Sequence, residues 1–255
     1  MSSNKMIPPI ALLLLLGIAV GPALAVPTHI MVRARSVDAK FIANHIGGGR
    51  VIIEDAESGR ILDEGHMGGS TGDTKLLMQS PHKRGEKLAR EGDGGYLATI
   101  DIDVPTQVRI RVLAPYGQRQ ALQEATVTTW VVPGKDITGS DGVVLSMPGL
   151  IVDGWTQLLQ GGKLNIFADV TMLCGCPITA DGVWQAKEFA VHALVSLKGR
   201  QLADVPLKFN ASSAVFAGEF TTRESGLHEV LIYAYQKRTG NTGVTRTQRG
   251  VVLEQ

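Results

Sequence analysis

The stretch Tyr96-Leu97-Ala98-Thr99-Ile100-Asp101-Ile102-Asp103-Val104, followed by Pro105-Thr106 and then Gln107-Val108-Arg109-Ile110-Arg111-Val112-Leu113, decides the fold class. Ala98, Ile100, Ile102 and Val104 recur at every second position, as do Val108, Ile110 and Val112. A period of two is that of a strand with one buried face, and it excludes a helix here. Pro105 and Thr106 read as the reversal of a hairpin. Centring that reversal on Thr106 sets Asp103 opposite Arg109 and Asp101 opposite Arg111. Such outward pairs contribute a few tenths of a kcal/mol each. An ion-pair ladder thus accounts for Asp101 and Asp103, in preference to a divalent-metal carboxylate pair.

The same pattern extends outward from this stretch. Residues 29–35 alternate, with Ile30, Val32 and Ala34 on one face and His29, Met31, Arg33 and Arg35 on the other. Residues 50–54 and 60–63 read as extended segments on either side of Asp55-Ala56-Glu57-Ser58-Gly59, a small polar run suited to a tight turn. Residues 66–95 are rich in glycine and charge, with residues 75–79 and 85–91 the parts that offer regular structure. A loop of that length is usually functional or mobile. Residues 125–132 close the first unit at Pro133-Gly134. A second strand series begins at Val143, and Leu164, Ile166, Ala168, Val170 and Met172 form one of its faces. Phe189, Val191, Ala193, Val195 and Leu197 form another. With residues 202–209, 214–221, 227–235 and 243–253 the count reaches about seven strands, as an immunoglobulin-like sandwich needs. Only 5% of residues are aromatic while 30 are glycine, a composition that suits sandwiches.

The expected architecture is therefore all-β, with two consecutive antiparallel β-sandwiches after a cleaved signal peptide. Residues 1–25 form the signal, 26–134 the N-terminal β-sandwich, 135–141 a linker and 142–255 the C-terminal one. Lys5 precedes an apolar run, Ile10 to Val20, that includes Leu12 to Leu16 and is followed by Ala23-Leu24-Ala25. That run is shorter than the roughly 20 residues of a membrane-spanning helix, and small residues follow it, as in a signal peptide. The mature chain is thus expected to begin at Val26, to have no transmembrane segment, and to be periplasmic or secreted. The chain has 25 basic and 24 acidic residues, so removing Lys5 with the signal leaves a balanced surface. Balance argues against nucleic acid as a partner.

Residues 226–235, Gly226-Leu227-His228-Glu229-Val230-Leu231-Ile232-Tyr233-Ala234-Tyr235, close with Thr239-Gly240-Asn241-Thr242-Gly243. This run resembles the last strand pair of bacterial immunoglobulin-like and fibronectin-III-like modules. Residues 51–65 resemble the opening hairpin of carboxypeptidase-regulatory, transthyretin-like sandwiches. Both resemblances imply a strand-turn-strand and no particular activity, since fold does not fix function.

Cys174-Gly175-Cys176-Pro177 holds the only two cysteines, at the end of a strongly alternating strand. Three readings stand side by side. Export favours a Cys174–Cys176 disulfide, with Gly175 bending the backbone to bring the two together, and such a bridge has structural and redox variants. Continued alternation puts Met172, Cys174 and Cys176 on one face, and three soft sulfur ligands would select copper(I). The third reading is a pair of inert core thiols. Gly68-Gly69-Ser70-Thr71-Gly72 fits the G-x-S-x-G pattern of hydrolases, yet lacks the strand before and the helix after it that a nucleophile elbow requires. The six histidines include no pair at metal-ligand spacing. Trp130, Trp155 and Trp184 read as core or interface anchors, and His192 and His228 as outward or locally satisfied.

No catalytic residues are assigned. The expected function is a non-enzymatic exported binding or accessory protein without a cofactor, its partner another exported or envelope protein. The alternative is a periplasmic copper-binding or thiol-redox protein. Recognition is expected on the 66–95 loop, with His66, Ser70, Asp73, His82 and Arg84 as its polar residues.

Overall fold

A computed structural model describes residues 25–253, so all of the expected signal except Ala25 lies outside the described residues. Fourteen strands form two sandwiches. In the first, β1 (Val26–Ser36) lies between β4 (Tyr96–Ile102), antiparallel to it, and β7 (Val143–Met147), parallel to it. Opposite stand β2 (Gly49–Asp55), β3 (Ile61–Met67), β5 (Thr106–Ala114) and β6 (Gln123–Val131), in the order β3-β2-β5-β6. Ile30, Val32, Ala34, Ala98 and Ile100 meet Val51, Ile53, Val108, Ile110 and Val112 between the sheets, all at or near zero exposure. The β2–β3 turn forms as its residues suggest: Asp55 Oδ1 accepts the N–H groups of Glu57 and Ser58, and Gly59 supplies a positive φ of 73°.

The hairpin expected at residues 96–113 is a correction. β4 and β5 belong to opposite sheets, β4 paired with β1 and β5 with β2 and β6. Two strands that each have one apolar face bury both faces if the connection arches over the core, and alternation cannot distinguish that arch from a hairpin. Asp101 and Asp103 therefore do not face the arginines. Arg111 pairs instead with Glu54 (2.9 Å) and Glu124 (2.9 Å), and Arg109 with Glu54 (3.5 Å).

The second sandwich comprises β8 (Leu150–Leu158), β9 (Lys163–Met172), β10 (Phe189–Leu197), β11 (Arg200–Asn210), β12 (Val215–Thr221), β13 (Gly226–Gln236) and β14 (Thr242–Val251). Its order is β8-β9-β12-β11 on one side and β10-β13-β14 on the other, the ABED and CFG arrangement of an immunoglobulin domain. β11 joins the two sides: residues 200–207 pair with β10 and residues 208–210 with β12. At the far edges, Gly154 and Gly243 let β8 and β14 approach closely. A Cβ at Gly154 would run into Ile232 and Thr245, and one at Gly243 into the carbonyl of Leu150.

Two segments lie elsewhere than expected. Residues 135–141 are held to the first sandwich: Ile137 donates to His29 O (2.8 Å) and accepts from Met31 N (3.0 Å). β7 follows in the same sheet because its inward Leu145 and Met147 complete the first core. The chain passes to the second sandwich at Pro148-Gly149, and the first strand there is β8.

A polar network fastens the two units. Asp38, in the turn after β1 with φ 58°, gives its carbonyl to Trp184 Nε1 (2.7 Å) and its carboxylate to Gln236 Nε2 (2.7 Å) and Arg238. Buried Asn241 donates to Val37 O (3.0 Å) and Gln236 Oε1 (2.9 Å) and accepts from Gly149 N (3.0 Å). Every amide group of Gln236 and Asn241 is thus used, the condition under which a buried network specifies a geometry. Asn241→Leu strands the Gly149 N–H and the Val37 carbonyl. Urea denaturation of that variant is expected to show a loss of about 1–3 kcal/mol, and an unchanged midpoint would refute this role.

Candidate functional site

The outward face of β1 places Met31, Arg33 and Arg35 where an ordinary sandwich meets water, and here residues 66–95 cover it. The ends of that segment are tied together, Gly68 and Gly95 exchanging backbone hydrogen bonds (3.3 and 2.9 Å). Arg33, only 6% exposed, donates from Nη1 to the carbonyls of Asp93 (2.7 Å) and Gly94 (2.6 Å). Its guanidinium stands 5.6 Å from the centre of the Phe41 ring. Arg35 donates to Ala39 O (2.9 Å) and Leu77 O (3.0 Å). Burial lowers the pKa of both arginines, against the pull of Asp141. Asp141 itself accepts the N–H groups of Leu88 and Ala89. Phe41, Leu77 and Ala89 make a small separate core under the segment, with Met78 also touching the core of the second sandwich. The 66–95 segment is therefore fixed in place by side chains of β1 and of the stretch before β7.

Within it, Ser70 donates to Asp93 Oδ1 (2.6 Å) and accepts from Gly72 N (3.2 Å). The serine of the G-x-S-x-G run thus pins a loop. Asp73 accepts from Leu76 N (2.7 Å), which chiefly holds its pKa below the ordinary value, and pairs with Arg90 (3.0 Å). Lys40 reaches Gly72 O (3.3 Å) and Thr74 Oγ1 (3.0 Å), and burial lowers its pKa.

The second sandwich approaches this segment through the cysteine turn. Cys174 and Cys176 form a disulfide with Cα atoms 5.4 Å apart, within the usual span. Gly175, at φ 74°, makes this bend possible, and a side chain there would strike His45 and Ile46 of the first unit. Gly175 N donates to Met172 O (2.7 Å), and Met172 N to Cys176 O (3.0 Å). Between the two units lies a groove of about 460 Å³, lined by Lys40, Asn44, His45, Ser70, Thr71 and Cys176.

Of the expected recognition residues, Ser70 and Asp73 share this neighbourhood. His66 stands apart at the end of β3, edge-on to Tyr116 at 5.9 Å. His82 Nε2 lies 2.6 Å from the carbonyl of Leu76, and Arg84 is exposed. The five are not one site. Met172, Cys174 and Cys176 share one core, where Cys174 and Cys176 are joined as a disulfide. Among the described residues, no group of three His, Cys, Asp or Glu side chains stands where it could hold a metal ion. His228 is satisfied in place by Thr222 and Gly226, and His192 by Asp204 (2.7 Å). Trp184 is the junction anchor, whereas Trp130 and Trp155 lie on outer faces, 63% and 44% exposed.

Sequence reasoning missed Arg33, Arg35 and Asp141. The alternation of β1 puts both arginines outward, but nothing local says that a segment some 60 residues away covers them.

No protein-family model matches this chain, and no curated protein matches it. Among solved structures, the N-terminal four Ig domains of Dscam1 isoform 6.44 match over 91% of this chain, at 10% identity and a TM-score of 0.26. The chain spans about half (51%) of the length of that structure.

The bridge closes a loop so short that chain entropy gives it only about 1–2 kcal/mol, which makes it a local former of the turn and no general staple. Thiol titration of the denatured, unreduced protein is expected to find no free thiol. Reduction is expected to lower stability by about that amount. Two titratable thiols in the unreduced chain would overturn the assignment.

Proposed function

We propose that this chain is an exported, non-enzymatic binding or accessory protein that recognises another exported or envelope protein through its 66–95 segment. The observation that carries this reading is the anchoring of that segment. Arg33, Arg35 and Asp141 hold an extended, charged, solvent-facing stretch onto a rigid β-sandwich. Recognition residues are commonly placed in this way, on loops positioned by a stiff scaffold. Ser70, whose hydroxyl is committed to Asp93, is assigned to holding that surface in shape. Export agrees with a disulfide, which persists in oxidising compartments. It agrees also with β1, which starts at Val26, the expected first mature residue.

Crosslinking through a photoreactive residue at position 84, in cells of the native source, tests this reading. A discrete adduct with an exported or envelope protein is expected from a chain beginning at Val26. A control probe at position 212, on the Asn210–Ser212 turn of the far sandwich, is expected to give none. Equal labelling from both positions, or a chain that retains Met1, would contradict it.

A further inference from the structure

A sheet that closes one side of a sandwich ordinarily turns its apolar residues inward and polar ones to water. The outer face of the β10-β13-β14 sheet departs from this. There β13 presents Leu227, Glu229, Leu231, Tyr233 and Tyr235, so a single charge interrupts apolar and aromatic side chains. β10 adds Ala190 and Leu194, and β14 adds Val244. Leu227 is 55% exposed and Tyr235 41%. His192 stacks on Tyr233 with ring centres 5.3 Å apart. The hollow among Ser196, Glu229 and Arg246 measures about 110 Å³, below the roughly 300 Å³ at which small-molecule sites begin. A broad apolar face without a deep pocket marks a macromolecular contact.

The strand register selects the occupant. One row across the face runs Asp204, Leu194, Leu231, Arg246, on β11, β10, β13 and β14 in turn. An acid stands at one end, a base at the other, and two leucines lie between. Arg246 is exposed and without an ion-pair partner among the described residues. Asp204 is held only by His192, at 2.7 Å. A second copy laid face to face, about a two-fold axis running along the strands midway between β10 and β13, brings this row onto its own reverse. Arg246 then opposes Asp204 at both ends, and Leu231 opposes Leu194 in the middle. The neighbouring rows behave alike. The row Pro206, His192, Tyr233, Val244 sets Tyr233 on His192 and Val244 on Pro206. The row Gln201, Ser196, Glu229, Gln248 sets the Ser196 hydroxyl on the Glu229 carboxylate and one amide on the other. A two-fold interface requires this self-complementarity. An axis across the strands would instead set Arg246 on Arg246 and Asp204 on Asp204, so the charges select the first axis.

We infer that the outer face formed by β10, β11, β13 and β14 is a dimer interface, and that its occupant is a second copy of this chain. Residues 227–235 at about 3.4 Å each, across four strands at about 4.8 Å, give a face of roughly 30 by 19 Å. That is on the order of 600 Å², somewhat under the ~800 Å² per partner of a standard interface, so the dimer is a weak one. The face includes no residue of the 66–95 segment.

The test is sedimentation equilibrium of the mature protein over a concentration series reaching about 1 mM. A reversible monomer–dimer equilibrium with a Kd on the order of 10–100 μM is expected. Leu231→Arg, at the centre of the face, is expected to leave a monomer throughout the series with an unchanged far-UV circular dichroism spectrum. Arg246→Asp and Asp204→Arg are exposed changes. Each is expected to weaken the dimer at least about tenfold, because each sets like charges at both ends of the central row. Mixed one to one, these two variants are expected to associate as the wild type does, since every opposed pair in the heterodimer again has opposite signs. A wild-type monomer at about 1 mM would overturn the inference. So would a dimer indifferent to Leu231→Arg, or a mixture of the two charge variants that associates no better than either alone.

Discussion

Asp38 is the point on which the arrangement of the molecule depends. The turn after β1 projects its carbonyl and its carboxylate into the second sandwich, where Trp184, Gln236 and Arg238 receive them. The half-buried Asp38 carboxylate is partly desolvated, and Gln236 and Arg238 offset that cost by donating to it. Asn241 extends the same network to Val37 and Gly149, the two places where the chain turns at the seam. Polar junctions of this kind contribute less to net stability than an apolar interface of equal size. They fix orientation, because any slip leaves a buried donor or acceptor without a partner.

Orientation matters because two features of different sandwiches meet only when it holds. Gly175, bent within the disulfide turn, fits against His45 and Ile46 with no room for a side chain. On the other flank, residues 66–95 lie over β1 and touch the second core through Met78. The groove at Cys176 is lined in part by this covering segment, through Ser70 and Thr71, and the segment takes its shape from Arg33 and Arg35. Those arginines donate to backbone carbonyl groups, an arrangement that holds a loop in place.

Much of this was legible in the residues and part of it was not, for physical reasons. Strand positions followed from the period-two pattern wherever one face is buried, and β9, β10 and β13 lie close to their expected spans. Pairing partners did not follow, because alternation states that a face is covered and not by what. Residues 96–113 show this: both strands were visible, yet the connection arches between sheets, and Arg109 and Arg111 found Glu54 and Glu124 in place of Asp101 and Asp103. β7 went to the first sandwich for the same reason. At the cysteine turn the sequence left three readings open, a disulfide, a copper site and inert thiols, because the spacing brings the sulfurs together without fixing their state; the structure places the pair at disulfide distance. Asp38, Arg33 and Asp141 were not legible, since each acts on residues distant in sequence and has no local pattern.

The rigid seam is tested most directly by residual dipolar couplings of the backbone amides, measured for both sandwiches of the mature protein in one aligned sample. The account predicts that a single alignment tensor fits the strands of both units in the orientation that the Asp38 network sets. Two tensors of clearly different magnitude would show sandwiches that move independently, and would contradict it.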